Sequence, residues 1–70
     1  MSAAPTLWPG ADGEPVSCRE KVKVLTENHA EAEQVLRDAF EDAILMGVDE
    51  AAMRRILAEM VAGLPSPKRR

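Results

Sequence analysis

Few side chains in this sequence are suited to chemistry, and each stands in a spacing that can be weighed. Cys18 lies in the expected first turn of a helix, beside Arg19 and Lys21. A helix dipole and neighbouring cations favour a thiolate there, which is what a redox or modification point requires. The plainer reading, a small apolar filler in a helical seam, is preferred. His29 and Glu33 stand four residues apart and would share one helix face. A metal centre needs several ligands converging on one point. The Glu-x-x-His motif of di-iron bundles is absent, because Thr26 stands where its Glu would be. His29 is therefore read as a polar register device in an apolar seam. One His, one Cys and no Tyr leave few acid–base groups, and a helical hairpin encloses no pocket. No catalytic residue, metal, cofactor or small-molecule substrate is expected.

The stretch "AFEDAILMGVDEAAMRRILAEM", residues 39–60, has the spacing of a helix-turn-helix at Ala43, Gly47, Met53 and Ile56. Arg54 and Arg55 on the second helix, with Lys68, Arg69 and Arg70 at the end, would then be its phosphate contacts. A recognition helix presents its N-terminal residues to base edges, and here those include Asp49 and Glu50. Carboxylates there face phosphates with the wrong sign. Any helix–Gly–helix bend with an apolar stripe meets the same four positions, so a hairpin bend is the preferred reading. The net charge of −3 points the same way, and nucleic acid is not the expected partner.

Trp8 in "TLWPG" is the remaining singular residue. An exposed Trp can anchor a protein pocket; the alternative is that it folds back on its own chain. The segment around it, residues 1–16, holds Pro5, Pro9, Gly10, Gly13 and Pro15 and lacks any periodicity. That composition reads as a flexible, disordered arm.

The elements that position these residues follow from periodicity and capping. Ser17 and Glu20, three residues apart, form a capping box in which each side chain satisfies a free amide. From Cys18 to Met46 the spacings alternate between four and three. Val22, His29, Leu36 and Ala43 take heptad position a, and Cys18, Leu25, Ala32, Ala39 and Met46 take d. Gly47 suits a left-handed cap at the end of this helix, which would run about 29 residues or roughly 43 Å. Asp49 caps the second helix. Met53, Ile56, Leu57, Met60, Val61 and Leu64 form its apolar stripe, and Gly63 and Pro65 stop it. It would be about 14 residues long, enough to cover about half of its longer neighbour.

The fold class implied is all-α: a flexible arm over 1–16, a helical hairpin over 17–64 and a basic tail over 65–70. Seventy residues with eleven alanines bury little surface alone, and chains of this size gain stability by association. Cys18, Val22, Leu25, His29, Ala32, Leu36, Ala39 and Ala43 are the expected partner or dimer interface. Arg19, Lys21 and Lys23 gather early in the long helix, and Asp38, Glu41 and Asp42 late. Antiparallel pairing into a four-helix-bundle homodimer sets these opposite charges together. A protein–protein interaction module is the function expected, either an adaptor, an accessory subunit or an inhibitor of a larger protein. The alternative is a small helix-turn-helix DNA-binding regulator. No membrane contact is expected. A lone cysteine and the lack of a signal-like N-terminus suit the cytoplasm.

Overall fold

The computed structural model describes residues 4–68. Two helices account for its regular structure, α1 over Arg19–Leu45 and α2 over Glu50–Ala62. Among the described residues the only strand-like pairing is an isolated antiparallel bridge between Pro9 and Pro15. The chain divides into two compact units within α1, between Val35 and Leu36.

In the first unit, residues 8–16 close a hydrogen-bonded turn, although they were expected to form part of a disordered arm. The amide of Val16 donates to the Trp8 carbonyl at 2.8 Å, and that of Gly10 to the Glu14 carbonyl at 2.9 Å. Asp12 Oδ1 accepts from the Glu14 amide at 3.0 Å, an Asx turn that substitutes for periodic structure. A Cβ at Gly10 would collide with the carbonyl oxygen of Glu14, so the turn needs glycine there. Prolines and glycines therefore specify this segment through turn chemistry, which no helical or strand period reveals.

The start of α1 differs by one residue from the Ser17–Glu20 capping box. The Cys18 carbonyl accepts the first helical bond, from Val22 N–H at 2.9 Å, so Cys18 and not Ser17 is the cap residue. The free amides of Lys21 and Glu20 donate to the Cys18 sulfur. Ser17 is left exposed.

In the second unit, α1 ends in a two-bond cap. Val48 N–H reaches the Ala43 carbonyl at 2.9 Å, and Gly47 N–H reaches that of Ile44 at 3.1 Å. Gly47 has φ 101°, the left-handed conformation that this Schellman arrangement demands. Asp49 follows with φ −61° and ψ 135°, and its Oδ2 accepts from Ala52 N–H at 2.9 Å. The opening turn of α2 is thereby capped as its sequence requires. At the far end Gly63 has φ −86°, so α2 stops without a left-handed residue. Pro65 supplies the stop, since it lacks an N–H and disfavours helix at Leu64.

The helices contain 27 and 13 residues, and α2 turns back along the end of α1. The Arg54 guanidinium lies 4.5 Å from the centroid of the Phe40 ring. Leu36, Phe40, Ala43 and Ile44 of α1 are half-buried, as are Ala52, Met53 and Leu57 of α2. Among the described residues none is fully buried. In this second unit the two helices therefore meet through half-covered side chains.

Candidate functional site

The expected interface residues separate by heptad position. Val22, His29, Leu36 and Ala43 at a are all half-buried within the chain, together with Leu25 at d. Cys18, Ala32, Ala39 and Met46, the other d residues, are exposed. The cause is a rotation of the covered side. In the second unit Phe40, at position e, is half-buried beneath Arg54. In the first unit the ring of Trp8 meets His29 edge-to-face, with centroids 6.2 Å apart and planes at 72°. Trp8 is itself half-buried, and its Nε1 is enclosed without a hydrogen-bond partner. The second unit thus covers the a and e side of its stretch of α1, whereas in the first Val22, Leu25 and His29 are half-buried and Thr26 at e is exposed; apart from Leu25, the d and g residues of both stretches are open.

The open side is a second heptad frame, which the reading of a single seam passed over. Lys21, Asn28, Val35 and Asp42 occupy its g positions, and the d residues alternate with them. Val35, at g, is 67% exposed, and Val24, at the flanking c position, 52%, so apolar side chains on and beside this side are free. Its signal was present in the sequence, because residues at g alternate with d by the same three-four spacing. A shallow groove of about 410 Å³ opens on it in the first unit, lined by Val16, Glu20, Lys21, Val24 and Leu25. In the second unit α2 also leaves apolar surface in water, at Ile56, Met60, Val61 and Leu64.

The remaining chemical candidates are dispersed. Cys18 is exposed, and its thiol is held below its ordinary pKa. Backbone hydrogen bonds from Lys21 and then Glu20 are the main causes, aided by the Lys21 charge. Among the described residues no three His, Cys, Asp or Glu side chains converge as a metal site would require. Arg55 and Lys68 are exposed, and Arg54 is exposed but stacked on Phe40. Arg69 and Arg70 lie outside the described residues. Among the described residues no helix is long and apolar enough to cross a membrane.

Comparison with known proteins adds no relative. No family model matches the chain, and neither a curated protein nor a solved structure matches it.

Proposed function

We propose that this chain is a small protein–protein interaction module, serving as an adaptor, accessory subunit or inhibitor of a larger protein. One observation carries the reading: both helices leave apolar side chains in water while the hairpin buries no described residue. Helices in water derive most of their stability from burying an apolar face, and these faces remain available to another protein. The assembly in this reading is a pair of hairpins forming an antiparallel four-helix bundle, with α2 of each copy presenting Ile56 and Met60 to the larger partner. A free thiol at Cys18 suits a reducing cytoplasm.

The DNA-reading alternative draws less support from the same geometry. The guanidinium of Arg54 stacks on Phe40, and Asp49 and Glu50 open the helix that would enter the groove. The test is the native size of the intact chain in an extract of the cells that make it. The module reading expects a particle larger than two copies, lost when Ile56→Glu and Met60→Glu are combined. A particle size untouched by that change, together with salt-sensitive binding to duplex DNA, would replace this reading with the regulator.

A further inference from the structure

The open d and g side of α1 has features that select one occupant. We infer that a second copy of this chain covers it, with the two α1 helices antiparallel and centred on Ala30. The inference rests on the interaction-module reading and names one of its partners.

In that register Val35 of one copy meets Leu25 of the other and enters the space between Lys21, Val24, Leu25 and Asn28. Residues at i, i+3, i+4 and i+7 bound the hole that a coiled-coil knob fills. Lys21, Val24 and Leu25 of these four also line the open groove of about 410 Å³, together with Val16 and Glu20. Val35 is 67% exposed, more than any other large apolar residue of α1 before its last turn. Toward the centre, Asn28 faces Ala32, a small residue that lets the helices approach closely.

Charge chooses the direction. Lys21 faces Ala39 of the second copy, and its ammonium falls between Asp38 and Asp42 there, twice by symmetry. A parallel pair would set Lys21 on Lys21 and Asp42 on Asp42. The carboxylates of Glu31 flank the centre on one side and stay in water.

Sedimentation velocity of the purified intact chain, at tens of micromolar, tests the inference, with helicity checked for every variant. The wild type should sediment as a dimer. Val35→Glu should weaken dimerisation by about thirtyfold or more, as for a central interface residue. Lys21→Glu should weaken it too, and adding Asp42→Lys should restore it by reversing each pair. A monomeric wild type would overturn the inference, as would a dimer indifferent to Val35→Glu. Failure of the charge exchange to restore pairing would overturn the antiparallel register. A monomer that still enters a large particle in cell extract, dependent on Ile56 and Met60, would leave the module reading standing while this inference fell.

Discussion

Trp8→Ala should destabilise the folded chain substantially, because the ring is half-buried and touches His29 of α1. A fully enclosed Trp buries about 150–250 Å². Withdrawing about 100 Å² from a half-buried one is worth about 2.5 kcal/mol at about 25 cal/mol per Å². The edge-to-face contact adds about 0.5–1.5 kcal/mol, and the entropy regained by the released turn offsets part of the total. A net loss of about 2 kcal/mol corresponds to a melting temperature about 8–16 °C lower for a domain of this size. Thermal melts followed by far-UV circular dichroism measure it, at one protein concentration, since association raises apparent stability. Trp8→Phe keeps a ring and removes the enclosed Nε1 that has no partner, so its loss should be clearly smaller. A double-mutant cycle with His29→Ala should return a coupling of about 0.5–1.5 kcal/mol. Gly10→Ala should imitate Trp8→Ala, because its Cβ would displace the Glu14 carbonyl and open the turn. A Trp8→Ala melting temperature within about 2 °C of wild type, with no coupling to His29, would refute the packing of this segment on α1.

Gly47→Ala should cost about 1 kcal/mol from backbone strain alone, since φ is 101° and the added Cβ would meet nothing within 4 Å. Gly47→Asn should cost less and Gly47→Val more; equal denaturant midpoints for all three would mean that the chain does not turn here in a left-handed residue. Asp49→Ala should destabilise by about 1 kcal/mol through loss of the bond to Ala52 N–H, whereas Asp49→Ser should retain most of the stability; chemical denaturation distinguishes them. The Cys18 thiol should react with iodoacetamide with a pH midpoint lower in the folded chain than in denaturant, because amide hydrogen bonds from Lys21 and Glu20 hold its pKa down. Its folded pKa lies below the unfolded value, so its contribution to stability is complete above the unfolded pKa of about 8.5 and fades as pH falls through the folded one. Coincident alkylation midpoints would remove the cap from the sulfur.

Local features of the chain were legible without its fold. The end of α1 at Gly47 and the start of α2 at Asp49 were readable because capping engages residues only a few positions apart. Two helices and a bend follow from those signals and from the three-four spacing. The N-cap of α1 shows where local reading fails: Ser17 and Cys18 are adjacent acceptors. Only the path of the preceding turn, fixed by Gly10, Asp12 and the Val16–Trp8 bond, places Cys18 at the cap. The covered side of α1 was less legible still. Two heptad frames, a with d and d with g, share the same spacing and overlap along one helix. Which frame stays open depends on what lies against it. That choice was made by Trp8 reaching His29 and by Arg54 reaching Phe40, contacts between residues distant in sequence. Periodicity reports how often an apolar side chain recurs. Only tertiary contact decides which side the chain covers itself and which it leaves open.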